Sequence, residues 1–234
     1  MRERLLLIVA LAVLGTRVLH AEVTTLAVLD FDNNCIFHAE TYEPLSRGLS
    51  QMMTSALSPI ESLRLVERQK LRDLVDEMRM AQSGLGSDAA LLKIGKMSGA
   101  RHLVFGSFMI TPDEKIRIDV RLIEVETGRT VKAESVTGKT RKILELIDTL
   151  GKKLADGLDV RLSASAKALL DASRDVPMQA VVAYSQALVF EENHRDKDAY
   201  LAYRNALKIA PGFEEADRRL KALIDRVKDQ SDSQ

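Results

Sequence analysis

Asp30 and Asp32 stand two residues apart at the end of an apolar run. At that spacing strand side chains return to one face, and paired carboxylates can divide acid and base work. The Asn33-Asn34 that comes next has turn composition, so the stronger reading is a pair of turn and cap formers. The histidines, His20, His38, His102 and His194, are scattered, with no two at helical ligand spacing, and no metal centre is expected. Cys35 is the single cysteine. It can form no intrachain disulfide and reads as an incidental thiol rather than a reactive one. Ser83-Gly84-Leu85-Gly86-Ser87 has the glycines of a phosphate loop, but it comes after a helix and lacks the Gly-Lys-Ser/Thr ending, so a helix-helix turn is expected. Ser46 and Ser98 lack a Gly-x-Ser-x-Gly frame. Lys115, Arg117 and Arg121 could meet an acidic partner, although a solvated sheet face explains them more simply. No catalytic or cofactor-binding residues are expected, no cofactor is implied, and the chain does not read as an enzyme.

The elements that must position these residues are set by periodicity. Thr25 to Phe31 is an apolar run of strand length. Pro44 to Leu57 carries Leu45, Leu49, Met52, Met53 and Ala56 at helical spacing. Leu63 to Val66 is a second short strand, and Glu67 to Met80 a helix with Leu71, Leu74, Val75 and Met78 inward. Glu67 suits the positive end of that helix. Ser87 or Asp88 caps another helix to about Ser98. Arg101 to Ile110 reads as a central strand, Thr111 to Glu114 as a turn, and Lys115 to Val125 as an alternating strand with Ile116, Ile118, Val120 and Leu122 on its core face. Glu126-Thr127-Gly128 turns into a strand from Arg129 to Thr137. A helix from Thr140 to Leu158 directs Ile143, Ile147, Leu150 and Leu154 inward. This order predicts a two-layer α/β (α+β) domain on a mixed sheet, with its first two strands parallel.

Composition agrees with a soluble globular chain. It has 234 residues, 46% hydrophobic and 29% charged, with 34 basic against 34 acidic side chains. Nothing in that balance suggests the clustered basic excess of a nucleic-acid binder, and with no Trp and 4% aromatic residues stacking platforms are not expected. At the amino terminus Arg2 and Arg4 precede an apolar run from Leu5 to Leu14. The run is about half of the ~20 residues that span a bilayer, so residues 1–21 read as a cleavable signal peptide, cut after Ala21 or after Gly15. The remaining organisation is an α/β domain over 22–160, a linker over 161–176 with some helical content, and a helical region over 177–230 opened by Pro177.

The stretch Leu65-Val66-Glu67-Arg68-Gln69-Lys70-Leu71-Arg72-Asp73-Leu74 resembles a signature of the CsgG family, the curli production and transport components. Gly99-Ala100-Arg101-His102-Leu103-Val104-Phe105-Gly106-Ser107 does so too, as does the strand from Ile118 ending Glu126-Thr127-Gly128. The likeness spans about Val23 to Leu158 and extends to the amino-terminal domain of TolB-like proteins. It implies residence in the periplasm, at the inner face of the outer membrane, and work through protein contacts. Two departures matter. The pore-forming relatives are lipoproteins, and no lipid-attachment site is evident here. They also carry two long amphipathic hairpins, where this chain has the tight turns Thr111 to Glu114 and Glu126 to Gly128, so no membrane-spanning segment is expected after signal removal.

The helical region resembles a tetratricopeptide unit through Ala187, Phe190, Ala199, Tyr203, Ala206 and Pro211, whereas Ala183 and Gln186 stand where larger apolar residues are usual. One unit leaves apolar area uncovered. The helix from Phe213 to Lys228 can cover one side, and the other must dock on the first domain or a partner. Such surfaces bind through the first helix, so Val181, Tyr184, Leu188, Glu191 and Glu192 are the expected partner-binding residues. The expected partners are proteins of the bacterial envelope, a second copy of the chain among them, in assembly or secretion of a surface structure; the alternative is a regulator docking on a cell-wall synthase, as implied by related lipoprotein activators of penicillin-binding proteins.

Overall fold

The structure, a computed structural model, describes residues 23–81, 88–171 and 175–232. The expected signal peptide over 1–21 and the glycine-rich turn over 83–87 lie outside the described residues.

The apolar and alternating segments form one five-stranded sheet of order β2-β1-β3-β4-β5. Its strands are β1 (Thr24–Asn33), β2 (Leu63–Leu65), β3 (His102–Ile110), β4 (Lys115–Glu124) and β5 (Thr130–Lys139). β1 runs parallel to β2 and to β3, whereas β3, β4 and β5 are antiparallel. The mixed α/β sheet read from the residues is therefore present, with its first two strands parallel as expected. β4 buries Ile116, Ile118, Val120 and Leu122 and exposes Lys115, Arg117 and Arg121, the alternation of a strand with one wet face.

A short helix α1 (Ala39–Tyr42) leads into α2 (Leu45–Leu57), which with α5 (Ile143–Gly157) covers one face of the sheet. α3 (Arg68–Ala81) and α4 (Asp88–Ser98) cover part of the other. There Leu71 and Ile94 close a smaller cluster over Ala27, Leu29, Leu103 and Ile123, so a partial third layer joins the expected two. A single 3-10 turn, Thr140–Lys142, precedes α5.

Residues 164–170 of the expected linker are a helix, α6 (Ala164–Leu170). Ser163 caps it by accepting the Ala166 amide at 3.1 Å, and Ala166 and Leu170 are buried. Because both side chains join the core, this stretch does not behave as a free tether. α7 (Met178–Glu192), α8 (Asp196–Ile209) and α9 (Glu214–Asp232) then complete the chain, with α8 ending just before Pro211, which cannot continue a helix. Tyr184, Tyr203 and Phe213 fill their centre, with Tyr184 5.0 Å from Phe213 and 6.0 Å from Tyr203 between ring centroids.

The apolar core is continuous across the expected boundary at residue 160. One cluster runs from Leu26 and Val104 in the sheet through Leu49 and Met53 of α2 to Tyr184, Tyr203 and Phe213. The seam is α2 against α7. A Cβ built at Gly48 would lie 1.9 Å from Ser185 Oγ and 2.9 Å from Ser185 Cβ, so the missing side chain is what lets the helices approach. α7 is apolar around most of its circumference because α2 lies on one side and α8 on another, as a helix packed on several sides must be.

Gly48→Ala should therefore cost about 1–3 kcal/mol by overpacking this seam, and Ser185→Gly in the same chain should recover much of the loss. Tyr203→Ala, at a fully buried ring, should cost about 3 kcal/mol or more. Urea unfolding curves check both; an unchanged midpoint for Gly48→Ala would mean that the two helices can part without loss.

Candidate functional site

The densest gathering of charge lies where β1, α2, α3 and α7 meet. β1 carries an irregularity against β3 between Val28 and Phe31, which changes the parity of the pleat. Phe31 joins the core, Asp30 meets α2, and Asp32 pairs in register with Ser107. The two carboxylates border the same cleft of about 140 Å³, but their partners differ. Asp30 is saturated with donors: Arg47, Arg68 Nη2 at 2.9 Å and Ser50 Oγ at 2.9 Å.

Glu192, at the carboxyl end of α7, completes the cluster. It accepts from Arg68 Nε at 2.6 Å and pairs with Arg47 Nε at 3.0 Å and Arg72 Nη1 at 3.4 Å. Arg68 is the hub, since its Nη1 also donates to Ser50 Oγ at 2.5 Å. Burial works against its charge, but Asp30 and Glu192 outweigh burial and hold the guanidinium above its ordinary range. Arg68 and Arg72 reach Glu192 together because residues four apart share a helix face.

Glu191 anchors a second group inside the helical unit. Tyr203 donates its hydroxyl to Glu191 at 2.6 Å, and Arg226 Nη1 to the same carboxylate at 2.9 Å. Arg226 also reaches Asp196 at 3.0 Å, and Arg219 Nη2 donates to Gln51 of α2 at 2.7 Å. Burial first, and then the Glu191 charge, raises the Tyr203 hydroxyl well above its ordinary range. Chemically these groups cross-link the chain: each carboxylate is surrounded by donors from other elements.

The structure places the expected partner-binding residues inside the chain. Val181, Tyr184 and Leu188 are buried in the core that α7 shares with α2, α8 and α9. Glu191 and Glu192 are the ion-pair anchors of the two charged groups. The physical reason is that the first domain already occupies the face a partner would need. α7 instead turns Val182, Ala183 and Gln186 towards a groove of about 880 Å³, bordered by Phe37, Tyr42 and Thr111 of the first domain.

The remaining candidates are apart from this cluster. His102 is buried with Nδ1 3.4 Å from Thr24 Oγ1, and burial followed by the Arg101 charge lowers its basicity. Among the described residues no three His, Cys, Asp or Glu side chains gather as a metal site. Cys35 is buried, accepts the Ile110 amide at 3.3 Å, and has its thiol pushed up chiefly by burial. Lys115 pairs with Asp113 at 2.6 Å and Arg117 with Asp119 at 2.7 Å, so two of the three cations on that face are answered locally. The Arg47–Arg68–Glu192 cluster is absent from the sequence reading, although Arg68 and Arg72 on one helix face opposite a strand-end Asp30 are its visible trace.

Glu192→Ala leaves three arginines without their shared carboxylate. The expected loss is about 2 kcal/mol, between the values for exposed and fully buried pairs. Equal unfolding midpoints for the variant and the parent would show the cluster to be energetically idle. Asp32 titrates above its ordinary range, through burial first and then Asp30 and Glu43. Its ionised form is thus a penalty that is absent below pH 3.8, the unperturbed value, and grows as pH rises through the raised one. Asp32→Asn should stabilise the protein at pH 7 and make no difference below pH 3.8, a contrast that urea titrations at two pH values read directly.

The family model described as curli production assembly/transport component CsgG matches residues 16–112. The match ends in the turn after β3, so β4, β5 and α5 lie beyond it. No curated protein matches the chain. Among solved structures, the LpoB C-terminal domain from Salmonella enterica is similar at 17% identity and a TM-score of 0.40, covering 50% of this chain and 84% of that one. TolB from Acinetobacter baumannii is similar at 12% identity and a TM-score of 0.40, covering 58% and 28% respectively. A PelC dodecamer from Paraburkholderia phytofirmans is similar at 15% identity and a TM-score of 0.38, covering 60% and 91%. The resemblance read from the residues thus holds over residues 16–112, which carry the match to the CsgG family of curli production assembly/transport components.

Proposed function

We propose that this chain is an exported, envelope-associated protein-interaction module, an accessory in the assembly or secretion of an envelope or surface structure rather than a catalyst or a pore. The observation that carries the reading is the CsgG match over 16–112 on a sheet whose hairpins are tight. β3 and β4 are closed by Thr111 to Glu114, with the Thr111 amide bonded to Lys115 O at 2.9 Å. β4 and β5 are closed by Val125 to Arg129, with the Glu124 amide bonded to Arg129 O at 2.9 Å. A membrane-spanning barrel strand takes about 9–11 residues, and neither turn holds one. Among the described residues no helix is long and apolar enough to cross a membrane. Two further features support contact work over chemistry. The charged residues at the junction are engaged with one another, and the apolar groove between the two units is open.

The full chain expressed in a bacterial envelope should lose its first segment, at Gly15 or Ala21, by mass measurement. It should leave membranes in a salt wash. Affinity capture after crosslinking in intact cells should return secretion or surface-fibre components. A captured cell-wall synthase would move the assignment to a synthase regulator. Extraction only by detergent, together with single-channel conductance in a planar bilayer, would restore the pore.

A further inference from the structure

Resting on that interaction reading, we infer that the groove between α7–α8 and the α1 segment binds an extended, basic and aliphatic polypeptide segment of a partner protein. The groove is about 880 Å³, within the range of sites that enclose a ligand of several residues. Its walls come from both units. Gln179, Val182 and Gln186 of α7 and Asn205 of α8 form one side; Phe37 and Tyr42 on the far side face them.

Three features select the occupant. The first is the amides. Gln179, Gln186 and Asn205 make no side-chain hydrogen bond among the described residues, while each carries both a donor and an acceptor. Gln179 and Gln186 are seven residues apart on one helix, a rise of about 10.5 Å, which matches about three residues of extended chain. Amides so spaced answer backbone N–H and C=O groups, which any extended segment presents. The second is apolar surface held open: Phe37 is 57% exposed and Ile209 38% exposed, and between them Val182 and Met178 are half-buried. These suit aliphatic side chains standing on an extended backbone. The third is charge. Among the described residues no lysine or arginine lines the groove, and Glu114 is its one carboxylate. Glu114 has no ion pair among the described residues and is exposed at the groove's edge. A basic side chain completes that end, and an acidic one would be repelled.

The backbone supports the same place. Of the four non-glycine residues with positive φ among the described residues, two, His38 at 54° and Glu114 at 57°, border this groove. Such conformations cost energy and persist where the surrounding structure holds them, as it does at binding sites.

The test is selection of random octapeptides displayed on phage against the purified full chain, followed by fluorescence anisotropy of the winners. Winners should carry Lys or Arg with aliphatic residues at alternate positions. Their affinity should fall about tenfold in Gln186→Ala, and Glu114→Lys should reverse the charge preference while circular dichroism stays unchanged. Glu114 is exposed and its hairpin is held by backbone bonds, so the reversal leaves the fold intact. Absence of enrichment, acidic winners, or winners indifferent to both substitutions would overturn the inference. So would sedimentation showing a self-dimer broken by Gln186→Ala, because a second copy would then be the occupant. If envelope capture returns partners whose crosslinks fall on another surface, the groove inference fails while the interaction reading stands.

Discussion

The contact on which the rest of the molecule depends is the approach of α2 to α7 at Gly48 and Ser185. α2 is buried on more than one side: Leu49 and Met53 belong to the sheet's core, while Gly48 faces Ser185. A helix held in this way transmits the orientation of the sheet to the helical unit. Side-chain complementarity at that distance tolerates little error, since interiors pack at crystal-like density. The continuous core running from Leu26 to Phe213 passes through this seam.

The ion-pair cluster acts on a different quantity. Asp30, Arg47, Arg68, Arg72 and Glu192 are part-buried, with Glu192 and Arg72 side chains each 13% exposed. Moving such charges out of water costs nearly as much as their attraction returns. Their effect is therefore mainly directional: Arg68 can satisfy Asp30, Ser50 and Glu192 together only when α3, β1, α2 and α7 hold one arrangement. Apolar packing brings α7 onto α2, and the guanidinium fork of Arg68 selects its register. The same contacts engage Asp30, the most suggestive residue in the sequence, with two guanidiniums and a hydroxyl that tie β1 to α2 and α3.

Much of the fold is legible from residue patterns, and the failures have specific causes. The alternation of β4 and the three-and-four spacing in α2 and α5 report burial on one side, and those elements have the expected faces inward. α7 resists because apolar residues occur around its circumference, so periodicity shows that it is buried without showing against what. Val181, Tyr184 and Leu188 read as one available stripe, and it is the stripe that α2 and its helical neighbours use. The Arg68 cluster joins residues far apart in the chain, Arg68 and Glu192 by 124 positions, and no local period encodes such a meeting. The parity change in β1 is equally hidden, because the extra residue between Val28 and Phe31 is visible only against the register of β3.

For recognition, the consequence is a division of surfaces within one helix. The apolar face of α7 is committed to folding, and a partner could reach it only by undoing the core. The face left to solvent combines Gln179, Val182 and Gln186, amide and aliphatic in turn. Surfaces of that mixture contact a partner without the large dry patches typical of permanent subunits. They suit contacts that form and release. The short hairpins at Thr111 to Glu114 and Val125 to Arg129 point the same way. They bring no additional strand to the sheet. In the proposed reading the module engages its target through this composite edge, to which both the helical unit and the first domain contribute side chains.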